Sequence, residues 1–257
     1  MRDGFKVFDA DAHVIYPADL WPRFLDKRYR DRVARKSPPG FDHYNPVTVD
    51  GRWSQHPTSI YGNFQKAINW TTEDMIAKYG PELVEKGFTG DRVATALEAE
   101  GVDVMVIYGP EYDMWLDGID PELQAAMARA YNRWGAEMRE QSNGHVITSG
   151  PVPLNDVARA VEEIQYAYDH LGTRCFWARP DHLNHRNLGD RYYDPVYELL
   201  QDLLRSRVFS SVPFFEQTSV IGLLDELPRM DDGTRAAMDP VIFMMASTCV
   251  LQDRYGL

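Results

Sequence analysis

Three residues near the start of the chain have types and spacing that could do chemistry. The stretch Phe5 to Pro17 reads Phe-Lys-Val-Phe-Asp-Ala-Asp-Ala-His-Val-Ile-Tyr-Pro, with Asp9, Asp11 and His13 at alternate positions after the apolar Phe5, Val7 and Phe8. Alternate side chains of a strand point to one face, so the spacing predicts all three on one side of a strand end. A carboxylate and an imidazole two residues apart can reach a single divalent cation, because both supply suitable donor atoms. The same pair also suits a solvated strand end with a turn-forming aspartate, and spacing alone does not choose between the two.

Other ligand-type residues lie further along. His182 and His185, in Asp-His-Leu-Asn-His, could share a cation if their loop turned helically; otherwise they are solvated loop histidines. Glu216 stands at the end of a predicted strand and could offer an oxygen ligand. His43, His56, His145 and His170 have no partner at informative spacing. The two cysteines, Cys175 and Cys249, form neither a disulfide framework nor a thiolate metal pattern, and read as small buried hydrophobes.

The elements that must position these residues follow a rhythm. After the first strand, Asp19 to Arg35 carries Leu20, Trp21, Phe24, Leu25 and Val33 among charges, an imperfect amphipathic helix. Residues 37 to 90 read as an insertion: Ser37 to Trp70 is rich in Pro, Gly, His, Asn and Tyr without a sustained period, and Thr72 to Lys86 is weakly helical. Such an excursion after a ligand-bearing strand suits a lid, and equally a surface loop. From Asp91 the pattern is regular. The helix Asp91–Glu100 stops at Gly101, and Val102–Tyr108 is an apolar strand. Asp120-Pro121 opens a long helix to Gln141, stopped by Asn143-Gly144. His145–Pro153, Arg174–Arg179 and Arg207–Glu216 are further strands, with helices Asn155–His170 and Asp194–Leu204 between them. Near-continuous apolar strands alternating with helices predict an α/β fold with a parallel sheet, about five β/α units of a TIM-barrel-like domain spanning residues 1–257. A full eight-stranded barrel needs three more units. Beyond Thr218 the rhythm changes to a short helix at Leu223–Pro228 and another from Asp239-Pro240 to Asp253, so residues 218–257 read as a divergent tail.

Composition narrows the function classes. The chain has 257 residues, 44% of them hydrophobic and 26% charged, which is globular composition. A formal net charge of −12 argues against a nucleic-acid or anionic-membrane surface, since phosphate binding needs clustered Lys and Arg. The one basic cluster, Lys27 to Lys36, fits an exposed helix face. No apolar run is long enough to cross a bilayer, and Met-Arg-Asp-Gly-Phe-Lys lacks the apolar core of a signal peptide, so the sequence predicts a cytoplasmic protein.

Six features in order now carry a resemblance: Asp9-Ala-Asp-Ala-His13, Asp91-Arg-Val-Ala-Thr-Ala-Leu-Glu-Ala-Glu-Gly-Val-Asp-Val-Met-Val-Ile-Tyr108, Ala130-Tyr-Asn-Arg-Trp134, Val152-Pro-Leu154, Arg179-Pro180 and Leu188-Gly-Asp-Arg-Tyr-Tyr-Asp-Pro-Val-Tyr197. From about Phe5 to Leu203 the chain resembles the amidohydrolase-related proteins typified by aminocarboxymuconate-semialdehyde decarboxylase. The resemblance implies a metal-dependent (β/α) barrel using zinc or manganese. It implies hydrolysis or non-oxidative decarboxylation of a small aromatic or unsaturated carboxylic acid. Asp11 and His13 match the family's first two metal ligands, and Asp9 would orient His13 or its strand. Arg179 would pair with the substrate carboxylate, or else with Asp181. The chain also departs from the pattern. Where the family has a histidine after its fifth strand, this sequence has Val212-Pro-Phe-Phe-Glu-Gln217, and the family's strand-six His and strand-eight Asp do not appear before Leu257. The alternative expectation is therefore a truncated, inactive barrel fragment serving as a binding or oligomerisation module, whose open sheet edge would favour a homo-oligomer.

Overall fold

Val104, Val106 and Tyr108 alternate with Met105 and Ile107, and that alternation divides the core into two layers. In the computed structural model, Val106, Ile147 and Cys175 form one buried cluster with Phe8, Val104 and Tyr108 packed against it. Ile107 and Val146, with Met105 and Phe176 at their border, belong to the other, larger cluster on the helical side. The strands are β1 (Phe8–Ala12), β5 (Val104–Ile107), β6 (Val146–Pro151) and β7 (Cys175–Trp177), all parallel, in the order β1-β5-β6-β7. Among the described residues this is a curled, barrel-like arc of four parallel strands in a mixed α/β fold. The structure describes residues 5–14, 17, 19–35, 47–53, 77, 89–108, 114–178, 182–204, 216–231, 233–234 and 237–238.

Helices connect the strands as parallel pairing requires. They are α2 (Gly90–Glu100), α3 (Pro121–Gln141) and α4 (Val157–Leu171), and a further helix, α5 (Asp194–Leu204), follows β7. Local chemistry sets their ends. The Asp120 carboxylate accepts the Glu122 N–H at 2.9 Å with Pro121 in the first turn, and Asp156 accepts the Arg159 N–H at 3.1 Å. Gly101 (φ 73°) and Gly172 (φ 63°) stop α2 and α4 in the left-handed region that a Cβ disfavours. The longest helix, α3, packs against both β6 and α4. A Cβ built on Gly135 would lie 1.9 Å from Thr148 Oγ1 and 2.9 Å from its Cβ, so helix and strand meet without a side chain between them. Gly135→Ala is expected to cost about 1–3 kcal/mol in denaturant unfolding, as overpacking does.

Between α3 and α4 a charged group is buried. Glu163 is 2% exposed; Arg129 Nε donates to its Oε2, and Asn132 Nδ2 donates to its Oε1 at 2.9 Å. Burial pushes the Glu163 carboxyl up despite the hydrogen bonds from Asn132 and the charge of Arg129.

The segment from 19 to 35 differs from the single helix expected. It forms a short α1 (Leu20–Phe24), a 3₁₀ turn (Lys27–Arg32) and a strand, β2 (Val33–Arg35). Asp26 restarts the chain by accepting the Arg28 N–H at 3.1 Å, and Val33 then pairs with Val49. With β3 (Val47–Val49) and β4 (Arg52–Trp53), β2 makes a small antiparallel sheet inside the expected insertion. The basic cluster is a tie rather than a helix face: Arg32 donates to Asp50 Oδ1 at 2.7 Å and to Asp120 Oδ2 at 2.7 Å, linking this sheet to the start of α3. Both carboxyls are lowered, chiefly by that hydrogen bond to Arg32.

Most other elements match their expected spans within two residues. The weak helix at 72–86, the strand at 207–216 and the helix from 239 lie outside the described residues, save Ala77 and Glu216. Tail residues 217–229 form α6 (Gln217–Glu226) and a 3₁₀ turn (Leu227–Arg229), longer than the short helix expected.

Candidate active site

Asp11 and His13 stand at the C-terminal end of β1, the end from which the helices of this fold class depart and where barrel enzymes place their chemistry. Their side chains are 86% and 52% exposed, and Oδ1 of Asp11 lies 3.9 Å from Nε2 of His13. The buried Ala12 between them anchors the strand end, its carbonyl accepting the Tyr108 N–H at 3.0 Å.

The simple alternation expected from Asp9 through His13 does not hold. Asp9 pairs with Met105 and Ala12 with Ile107, so three steps on β1 oppose two on β5, a β-bulge. The Asp9 carboxylate explains it, accepting the Asp11 N–H at 3.1 Å and diverting that amide from the ladder. Asp9 thus shapes its own strand, and the bulge turns Asp11 outward beside His13.

Two donors 3.9 Å apart are within the roughly 4.2 Å that a pair of metal bonds of about 2.1 Å can span. In type and spacing they fit a divalent cation. Among the described residues no third His, Cys, Asp or Glu joins them to make a group of metal-ligating size.

The other sequence candidates are placed elsewhere. His182 and His185 are exposed on a tight turn: Leu183 and Arg186 exchange backbone hydrogen bonds of 2.8 and 3.0 Å, while Asn184 (φ 51°) and His185 (φ 65°) hold left-handed conformations. That is a two-residue hairpin turn, not a helical one, so the His-x-x-His spacing does not bring the rings to one face. Glu216 is the N-cap of α6, accepting from Thr218 N–H at 3.0 Å and from Ser219 N–H and Oγ–H at 2.7 and 2.6 Å. These donors pull its carboxyl down to about 2 and occupy the oxygens a metal would need. Because the folded value is depressed, the cap should hold above the ordinary 4.5 and be lost as pH falls toward about 2. Amide exchange at Thr218 and Ser219, followed down that range, should accelerate in the wild type and be fast throughout in Glu216→Ala. Arg179 lies outside the described residues.

The structure adds residues that the sequence did not single out. Tyr108 follows β5 and packs with Val104 and Val106 against the smaller cluster, while Trp177, at the end of β7, packs against the larger one. The Tyr108 and Trp177 rings meet edge-on at 6.2 Å, and Trp177 meets the buried Trp115 edge-on at 4.4 Å. Trp115 is fixed by its indole N–H, which donates to the Val152 carbonyl at 3.0 Å. Burial pushes the Tyr108 phenol up, with smaller contributions from Cys175 and Asp11. Extending the alternation of Val104 and Val106 by one step would have found Tyr108; nothing local in the sequence marks Trp115.

A polar clasp holds the loops that leave the three strands. Asn184 N–H donates to Asp117 Oδ1 at 2.7 Å, Gly118 N–H returns to Asn184 Oδ1 at 2.8 Å, and Asn184 Nδ2 donates to Asn155 Oδ1 at 3.0 Å. Gln124 completes it, accepting the Asn155 N–H at 2.8 Å and donating to the Met114 carbonyl at 2.8 Å. A separate groove, lined by residues of α1, α3 and α4, holds Arg159 paired to Glu122 and Arg129 paired to Glu163 and includes neither Asp11 nor His13.

The fold has a counterpart among solved structures. It is similar to a 5-carboxyvanillate decarboxylase from Novosphingobium aromaticivorans, solved with bound manganese and 3-methoxy-4-hydroxy-5-nitrobenzoic acid, with a TM-score of 0.50, 16% identity, and coverage of 78% of this chain and 49% of that one. The chain thus spans about half the length of that structure, and at this identity the likeness speaks for the fold alone. No protein-family model and no curated protein matches the chain.

Proposed function

We propose that the protein is a divalent-metal-dependent, non-oxidative decarboxylase of a small aromatic carboxylic acid. The observation that carries this is the pairing of Asp11 with His13, 3.9 Å apart, at the C-terminal end of the first strand of a barrel-like sheet. The solved decarboxylase with the similar fold supports the class of reaction and, through its bound manganese, the class of metal. Zinc, expected from the sequence resemblance, has no separate support, and a hydrolase remains the related outcome to test. Asp11 and His13 would hold the cation, which in this chemistry polarises a bound carboxylate or ring oxygen. Within the proposal Arg179 pairs with the substrate carboxylate through its planar fork. Arg179→Lys should therefore raise KM by about tenfold with little change in kcat, since a lysine keeps the charge and loses the two-point contact.

The direct test is CO₂ release from hydroxylated benzoic acids and 5-carboxyvanillate by protein loaded with manganese. Release that depends on Asp11 and His13 is the expected result. Hydrolysis of ester or lactone analogues without CO₂ release would move the protein to the hydrolase class.

One observation favours a second reading. The second reading is a truncated, inactive barrel fragment that serves as a binding or oligomerisation module, and among the described residues Asp11 and His13 are joined by no third metal-ligating side chain. Among those residues β1 and β7 form the edges of the parallel sheet, where a second copy could pair, so this reading predicts a homo-oligomer with no CO₂ release. Among the described residues no helix is long and apolar enough to cross a membrane.

A further inference from the structure

The groove lined by α1, α3 and α4 is built from arginines. Arg129 and Arg133 reach it from α3, Arg159 from the first turn of α4, and Arg28 from the 3₁₀ turn that follows α1, around a cavity of about 190 Å³. Four guanidiniums thus converge in a chain whose formal net charge is −12. Gathering like charges costs free energy unless anions meet them. The protein supplies part of that anion. Glu163, 2% exposed, accepts from Arg129 on Oε2 and from Asn132 on Oε1 at 2.9 Å, and Glu122 accepts from Arg159 at 2.7 Å and from the Tyr29 hydroxyl at 3.0 Å. Both oxygens of each carboxylate are engaged, and Arg129 and Arg159 are held by them.

Arg28 and Arg133 are held differently. Arg28 Nε lies 3.6 Å from Asp26 Oδ2, beyond hydrogen-bond reach, and its side chain is 65% exposed. Arg133 is exposed; its charge acts on the Glu163 carboxyl, yet the hydrogen bonds to that carboxyl come from Arg129 and Asn132. Among the described residues no carboxylate forms an ion pair with Arg133. Ala125 and Ala126 line the same cavity, and side chains of that size leave it open.

We propose that this groove binds a phosphate group, with Arg28 and Arg133 as its hydrogen-bonding ligands and the paired Arg129 and Arg159 adding positive potential. A guanidinium fork meets phosphate oxygens two at a time. A tetrahedral dianion accepts from several directions at once, which suits arginines arriving from three elements, whereas a carboxylate carries half the charge and accepts in one plane. Glu162 is exposed, lines the same groove and opposes the anion. The site includes neither Asp11 nor His13 and is independent of the decarboxylase reading.

Calorimetric titration of the full chain with inorganic phosphate, in metal-free buffer, tests it. Saturable binding is expected in the wild type and equally in the Asp11→Ala/His13→Ala double variant. Arg133→Gln should weaken phosphate by about tenfold or more, the worth of a hydrogen bond to a charged group, and Arg28→Gln should act in the same direction. Arg133→Lys should cost about threefold, because it keeps the charge and loses the two-point contact. Glu162→Gln should tighten binding by about threefold, since it removes a repelling charge. Arg191→Gln deletes the same charge as Arg133→Gln from an exposed position outside the groove and should change nothing. Methyl phosphate, run alongside, separates the sources of the ligand: comparable binding makes it a phosphomonoester, and binding of inorganic phosphate alone makes it the free anion. Arg133 is exposed, so its substitution should leave the denaturant midpoint in place; if the midpoint moves, Arg28→Gln decides. No saturable binding by the wild type, or its loss in the Asp11→Ala/His13→Ala variant, would overturn the site. Equal weakening by Arg133→Gln and Arg191→Gln would also overturn it, because that reports bulk charge alone.

Discussion

His13→Ala is expected to lower manganese-dependent CO₂ release by more than about 100-fold, since losing even a group that only supports a metal ligand typically costs 10–100-fold. Its stability should not change. The His13 side chain is 52% exposed and Asp11 is 86% exposed, so truncating either removes little buried surface and should stay within about 0.5 kcal/mol of wild type, as surface substitutions do. This separation makes the pair a clean test. A variant that loses activity while its denaturant midpoint stays put has lost function alone. A drop in both would mean that the strand end is held together by the very residues assigned to the metal.

The second large effect lies far from the site. Glu163→Ala should destabilise the protein by about 3 kcal/mol, because breaking a buried, hydrogen-bonded ion pair leaves its partners uncompensated. Here the partners are the Arg129 guanidinium and the buried Asn132 amide, whose donors would lose both Glu163 oxygens. For a chain of 257 residues that corresponds to a fall in melting temperature of roughly 6–12 °C. Glu163→Gln should lose less than half as much, since it keeps an oxygen for Asn132 and lifts the desolvation that raises the carboxyl. The sign of the pH effect follows from that raised value: above the ordinary 4.5 the buried acid increasingly costs stability as it ionises, so the wild type should lose stability relative to Glu163→Gln as pH rises through the folded-state value. An alanine variant within 1 kcal/mol of wild type would show that the pair does not tie α3 to α4.

The sequence made the scaffold legible where local rules and tertiary packing agree. Gly101 and Gly172 end helices because their backbones are left-handed there, Asp120-Pro121 starts one because its side chain caps it, and Val104–Ile107 is an apolar run in the sheet beneath the helices. The stretch from Asp19 failed because two interactions beyond its own period, the Asp26 cap and the pairing of Val33 with Val49, outweigh a helical pattern that was imperfect. At the site, the identity of Asp11 and His13 was readable but their geometry was not. A single Asp9 side chain, bonding two residues ahead, inserts a bulge that strict alternation cannot foresee. Glu216 looked like a ligand because it ends an apolar run, whereas the Thr218 and Ser219 amides that follow it make it a helix cap. Tyr108 and Trp177 come together only through the sheet order, since β6 separates their strands.

The central claim is that Asp11 and His13 are the first two ligands of a divalent cation. Equilibrium dialysis of the full chain against manganese, with metal counted per chain, tests it without reference to turnover. The account predicts about one manganese per chain in the wild type and in Glu216→Ala, and none in the Asp11→Ala/His13→Ala double variant. A wild type that takes up no manganese, or a double variant that binds as much as the wild type, would contradict it.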